Sequence, residues 1–86
     1  MKHLPGTKLT EHEALDWGKY VGVDEDGSAR VFKKQPVKAG DTWIPNKFPD
    51  KMYPACYRLE NDYPEYSGQL LVRKSKNGDT VYMSKS

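Results

Sequence analysis

Apolar and polar residues alternate most clearly in two stretches, residues 19–34 and 69–84, and a turn containing glycine divides each of them. In the first stretch, a three-residue loop ending at Gly27 keeps the valines on one face of the paired strands. Gly22 then lies on the opposite face, where it leaves room for a ring. In the second stretch, Asn77-Gly78 favours a type I′ turn. Both stretches are therefore predicted to be antiparallel β-hairpins.

A short helix is predicted ahead of the first hairpin. Thr10 and Glu13 have the spacing of a capping box, in which each side chain satisfies the backbone N–H of the other residue. Leu15 and Trp17 provide an apolar side, and Gly18 favours an end to the helix. A helix of one or two turns is unstable alone, so we expect these side chains to dock on the sheet. Residues 1–9 are predicted to be a flexible leader.

The remaining chain favours further short strands. Residues 41–44 and 55–60 have strand character, residues 35–40 are predicted to form a turn, and the prolines between residues 45 and 64 exclude a long helix. The fold class that we expect is β-rich α+β, in a single domain over residues 1–86. It would combine a short N-terminal helix with a small, strongly curled antiparallel sheet of four to six strands.

Length and composition argue against catalysis. A chain of 86 residues buries a small core and has little volume for a deep active-site cavity. Cys56 is the single cysteine, and His3 and His12 lack metal-ligand spacing. Cys56 and His12 could in principle pair as nucleophile and base, but a structural thiol is the better interpretation. We expect no catalytic residue, no metal, no cofactor and no enzymatic activity, and no apolar run is long enough to span a membrane.

Aromatic residues make up 12% of the chain, and most of its tyrosines and prolines lie between residues 45 and 66. Aromatic side chains are enriched in protein interfaces, so this stretch is a candidate docking surface. An equally weighted alternative is that the rings cover a sheet too small to close its own core. The candidate protein-binding residues are Trp43, Phe48, Tyr53, Tyr57, Tyr63 and Tyr66.

The net charge of +2 is spread unevenly along the chain. Acidic residues predominate in residues 1–29 and 53–66, and basic residues in 30–52 and 67–86, which predicts a bipolar surface if these segments stay apart. Basic side chains beside an aromatic ring can bind single-stranded nucleic acid, although an ordinary solvated sheet face accounts for the same residues. The candidate nucleic-acid-binding residues are Lys33, Lys34, Arg73, Lys74 and Lys76.

The run from Trp17 to Gly27, followed by Phe32, Pro36 and Trp43, resembles small proteins of tailed bacteriophages and prophages. The likeness covers residues 17–45, and Gly22 stands where that pattern has alanine. The resemblance implies a phage-encoded accessory protein in the host cytoplasm that binds and blocks a host protein. It carries over no catalytic residue.

The function expected first is therefore a non-enzymatic binding protein that inhibits a host protein. The alternative is a small nucleic-acid-binding β-domain, and a virion accessory subunit is the third possibility. The expected partner is an unidentified host protein, and we expect no association with a membrane. The chain is expected to be a monomer or a small homo-oligomer.

Overall fold

The structure is a computed structural model, and it describes residues 6–46 and 55–85. Its α-helix, α1, spans Glu11–Trp17, and a short 3-10 helix spans Pro64–Tyr66. The strands are β1 Lys8–Leu9, β2 Tyr20–Val23, β3 Ala29–Phe32, β4 Val37–Ala39, β5 Thr42–Ile44, β6 Cys56–Leu59, β7 Leu70–Lys76 and β8 Asp79–Ser84.

Six strands form one sheet in the order β1-β6-β3-β2-β7-β8, and β4 and β5 form a separate two-stranded sheet. The predicted β-rich α+β class, with a short N-terminal helix, is confirmed. The large sheet is mixed, because β1 pairs with β6 in parallel while the other neighbours are antiparallel. Among residues 6–46 and 55–85, its outer strands β1 and β8 have no further partner, so the sheet that these residues form does not close into a barrel.

Both predicted hairpins have the expected register. Val21 lies opposite Val31 in the first, and the loop ends at Gly27 with a φ of 91°. In the second, Asn77 and Gly78 have φ values of 53° and 84°, as a type I′ turn requires. Turn chemistry and alternation therefore determine the strand pairing in these two segments.

Two predictions about the segments around these hairpins are wrong. Lys8 and Leu9 belong to β1, and Leu9 is fully buried because it packs into the core beside β6, so the leader does not extend to residue 9. Residues 35–40 are not all turn, because Val37–Ala39 forms β4 and pairs with β5 through a turn at Gly40. Each of these strands is too short to show an alternating pattern.

The core lies between α1 and one face of the large sheet, which we call the helix face; Val21, Val31 and Leu71 point from it. The predicted capping box begins α1, since Thr10 Oγ1 accepts from the Glu13 N–H at 3.2 Å and the Glu13 carboxylate accepts from the Thr10 N–H at 3.0 Å. The opposite face, which carries Tyr20 and Gly22, supports the β4–β5 hairpin, so we call it the hairpin face.

Two side chains from β7 and β8 hold the C-terminal end of α1. The Tyr82 hydroxyl lies 2.7 Å from the carbonyl oxygens of both Ala14 and Gly18, so its single proton is shared between them. Arg73 Nη1 donates to the Leu15 carbonyl at 2.7 Å. The Ala14 carbonyl also accepts from the Gly18 N–H at 2.8 Å. The Leu15 carbonyl lies in the last turn, where intrahelical donors are lacking, and Gly18 lies beyond the helix, so for these two carbonyls the side-chain bonds satisfy groups that burial would otherwise leave unpaired.

Candidate functional site: interaction surfaces

Most of the aromatic side chains that we predicted to bind a partner, where the structure describes them, pack against other residues of this chain. Tyr57 is 4% exposed and meets Trp17 edge to face, with 4.8 Å between the ring centroids. Tyr63 and Tyr66 pack against the core from outside. The Tyr63 hydroxyl donates to Glu11 Oε1 at 2.8 Å, and burial, followed by this carboxylate, raises the pKa of Tyr63 well above its usual range.

Phe48 and Tyr53 are the other two candidates from the stretch between residues 45 and 66, and they lie outside the described residues. For the rings that are described, the geometry favours the interpretation that they cover a small sheet. Whether any of the six candidates also contacts a partner stays a prediction.

Trp43, the remaining candidate, holds the β4–β5 hairpin against the hairpin face. Its indole Nε1–H donates to the Val23 carbonyl at 3.1 Å. A Cβ added to Gly22 would lie 2.5 Å from Trp43 Cβ and 2.6 Å from Cγ, so only glycine accepts the indole at this distance. The prediction that Gly22 leaves room for a ring is confirmed, and that ring is Trp43.

A polar cluster beside Trp43 anchors the same hairpin. Asp24 Oδ1 accepts from Thr42 Oγ1 at 2.9 Å and from the Trp43 N–H at 3.0 Å. Arg30 Nη2 lies 3.7 Å from Asp24 Oδ1 and donates to Thr42 Oγ1 and to the Trp43 carbonyl oxygen. Every member of the cluster has a partner inside the chain, so its role in the geometry is structural. No local pattern in the sequence indicates this cluster, because its members lie up to 19 residues apart.

Cys56 and His12 do not form a catalytic pair. Cys56 is the register partner of Phe32 and points to the hairpin face, whereas His12 is exposed on α1, which covers the helix face. Burial raises the pKa of the Cys56 thiol, and the nearby Arg30 opposes that shift only in part. A thiol with a raised pKa is a poor nucleophile near neutral pH.

Charged side chains are divided between the two ends of the large sheet. Tyr20 pairs with both Phe32 and Val72, so the residues that follow β3 and those that complete β7 lie at the same end. We call this the basic end; its cations are Lys19, Lys33, Lys34, Arg73, Lys74 and Lys76, beside the acids Asp16 and Asp79.

The start of α1, the turns after β2 and β4 and the chain after β6 meet at the other end, which we call the acidic end. Four cations, Lys8, Lys38, Arg58 and Lys85, also lie toward this end, and Lys38 pairs with Glu25 at 3.0 Å. The separation of charge agrees with the bipolar surface that we predicted from the sequence. The acidic side chains at this end are Glu11, Glu13, Asp24, Glu25, Asp26, Asp41, Glu60, Asp62 and Glu65.

The five candidate nucleic-acid-binding residues share the basic end, but they differ in availability. Lys34, Lys74 and Lys76 are exposed, and Lys33 lies with its Nζ 5.2 Å from the centroid of a Trp17 ring. Arg73 is partly buried on the helix face, where it donates to α1. Four lysines are thus open to a ligand, and the arginine is committed to the fold.

A partly exposed apolar row crosses three strands of the hairpin face next to the basic end. Tyr20 of β2, Val72 of β7 and Met83 of β8 are successive register partners, and each is partly exposed. Lys19 places its Nζ 5.7 Å from the Tyr20 ring centroid, and the exposed Lys74 follows Val72 on the same face. We call Tyr20, Val72 and Met83 the apolar row.

A shallow groove runs between α1 and the β7–β8 hairpin, and its lining includes His12, Asp16, Arg73 and Asp79. Across residues 6–46 and 55–85, no cluster of three or more His, Cys, Asp or Glu side chains could hold a metal ion. In the same part of the chain, no helix has the length and apolar character needed to cross a bilayer.

Comparison of the chain with models of known protein families, with curated proteins and with solved structures finds no match.

Proposed function

We propose that this chain is a small non-enzymatic binding protein that docks on another protein through the apolar row and blocks the surface it covers. The supporting observation is the position of Tyr20, Val72 and Met83, which form one partly exposed row beside Lys19 and Lys74. Aromatic residues and Met are enriched where protein surfaces meet. Lysines at the edge of the row favour a partner surface that is acidic.

The resemblance to bacteriophage proteins makes a bacterial host protein the proposed partner and blocking the proposed mode of action. A block of this kind needs only complementary shape and charge, so it requires no cleft and no reactive group. The acidic end would then face away from the partner, because it lies at the opposite end of the sheet from the lysines.

The test is to measure which proteins this chain captures from a bacterial lysate. Two variants, each with one reversed charge at one end of the sheet, form a matched pair. Lys74→Glu alters an exposed residue beside the apolar row, and Glu65→Lys alters an exposed residue at the acidic end. We expect the unaltered chain and Glu65→Lys to retain one stoichiometric protein, and Lys74→Glu and Tyr20→Ala to lose it. Retention of the same protein by all four chains, or of no protein by any of them, would contradict the proposal.

A nucleic-acid-binding domain is the second candidate, because Lys33, Lys34, Lys74 and Lys76 occupy one end of the sheet near the Tyr20 ring. Binding to single-stranded DNA should then weaken steeply with salt, with a log–log slope of about −0.7 for each phosphate neutralised. A double reversal, Lys33→Glu with Lys74→Glu, should abolish it. If DNA binding depends neither on salt nor on the double reversal, this candidate is excluded. In the lysate capture, nuclease treatment shows whether a captured protein is bound through nucleic acid.

A further inference from the structure

Among the residues that the structure describes, the large sheet ends in two outer strands, of which β1 is protected against further pairing and β8 is not. At one edge, β1 has two residues, which is too short to template another strand. At the other, β8 spans six residues, Asp79–Ser84, with neither proline nor a bulge in its pairing with β7. An edge of this length, free of the usual blocking features, is a surface on which another strand can pair.

The hairpin register determines which backbone groups of β8 point outward. Lys76 and Asp79 flank a two-residue turn and therefore form a hydrogen-bonded pair. Hydrogen-bonded and non-hydrogen-bonded pairs then alternate along β7 and β8. The bond from the Lys85 N–H to the Leu70 carbonyl at 3.0 Å agrees with that alternation. The backbone groups of Thr80 and Tyr82 consequently point away from β7, toward the outer edge of the sheet.

We propose that β8 pairs antiparallel with β8 of a second copy of this chain, with Tyr82 on the two-fold axis. This register puts the outward N–H and C=O of Tyr82 opposite the same groups of the second copy, where they exchange two hydrogen bonds. It places Thr80 opposite Ser84 of the second copy and Val81 opposite Met83. The two sheets would then join into one.

Charge complementarity selects this occupant and this register. Asp79 and Lys85 stand at the two ends of β8, point to the same face, and have no ion-pair partner within 4.0 Å among the described residues. With Tyr82 on the axis, Asp79 of each copy faces Lys85 of the other, so two ion pairs close the contact. Within one copy the two residues lie about 20 Å apart along the strand and cannot pair.

Sedimentation velocity over a range from about 1 µM to about 1 mM tests the proposal. A contact made mainly by one strand is small, so we expect a dimer with a Kd on the order of tens of micromolar. Asp79→Lys should raise that Kd about tenfold, since both attractive pairs become repulsive. Combining it with Lys85→Asp should restore the Kd to within about threefold of the unaltered chain, because the charges are exchanged across the contact.

Thr80→Pro is the complementary test, because the lost N–H points outward and no bond to β7 is removed. It should leave the chain monomeric at every concentration, while circular dichroism confirms that it is folded. Where it fails to fold, the charge exchange decides alone. The proposal is overturned if the unaltered chain stays monomeric over the whole concentration range, which is the result expected if β8 pairs with a strand of another protein instead. It is also overturned if the charge exchange fails to restore the Kd.

Discussion

Replacement of Gly22 by alanine tests how the β4–β5 hairpin is attached to the large sheet. The added methyl carbon would lie 2.5 Å from Trp43 Cβ and 2.6 Å from Cγ, well inside van der Waals contact. Trp43 cannot move freely, because its Nε1–H and its backbone N–H are bonded to Val23 and Asp24. The hairpin must therefore lift, or the strand beneath it must bend.

The net cost follows from two opposing effects. Overpacking a fitted contact costs about 1–3 kcal/mol, while alanine in place of glycine restricts the unfolded chain and returns about 0.5–1 kcal/mol. If the hairpin lifts, loss of the bond from Trp43 to Val23 adds about 1 kcal/mol. We expect Gly22→Ala to lower the free energy of unfolding by about 1–3 kcal/mol, from a total that is roughly 4–13 kcal/mol for a chain of this size.

Urea unfolding followed by circular dichroism measures this loss, and indole hydrogen exchange locates it. In the variant, the Trp43 indole proton should exchange faster by at least about tenfold, since it loses its acceptor. Trp17 provides the internal control, because its ring packs on Tyr57 across the opposite face of the sheet. If Gly22→Ala is as stable as the unaltered chain and the Trp43 proton remains protected, the inferred attachment of the hairpin is wrong.

Three further predictions concern buried groups. Tyr82→Phe should lower the free energy of unfolding, measured in urea, by about 1–2 kcal/mol, because it removes the donor to two carbonyls. Tyr66→Phe is the control: the Tyr66 hydroxyl bonds to no described residue, so its removal should cost less than half as much. Burial raises the pKa of Tyr82, so above about pH 10 the folded chain keeps a proton that the unfolded chain loses, and stability should fall as the pH rises. Tyr82 contributes up to about 1.4 kcal/mol per pH unit to this slope, in addition to Tyr57 and Tyr63, whose pKa values are also raised, so the slope should be shallower in Tyr82→Phe. Near neutral pH, the partly buried Cys56 should react with a disulfide reagent at least about tenfold more slowly in the folded chain than in urea, and equal rates would contradict its partial burial and raised pKa.

The two large hairpins could be predicted because their information is local. Asn77-Gly78 and Gly27 determine the loop lengths, and alternation then determines which side chains share a face. Strand β1 could not be predicted in this way, because its two residues pair in parallel with β6, about fifty positions further along the chain. Strand β4 is three residues long and is bounded by Pro36 and Gly40, which are typical of turns.

The candidate site was less predictable because exposure is a property of the folded chain. Tyrosine in a proline-rich segment is compatible with both a contact surface and a cover for the core, and only packing shows that Tyr57 is 4% exposed. The apolar row had a weak local signal. Tyr20 and the paired residues Val72 and Met83 follow from the two hairpins taken separately, but their alignment in one row depends on the pairing of β2 with β7.

The separation of charge follows from the order of the elements. The chain reverses direction at each turn, so its segments arrive at the two ends of the sheet alternately. The acids of the β2–β3 turn and of the chain after β6 therefore reach one end, and the cations after β3 and in the second half of β7 reach the other. A change of charge along the sequence thus becomes a separation across the molecule. This explains how a chain with a net charge of only +2 can carry a cationic surface at one end and an acidic surface at the other.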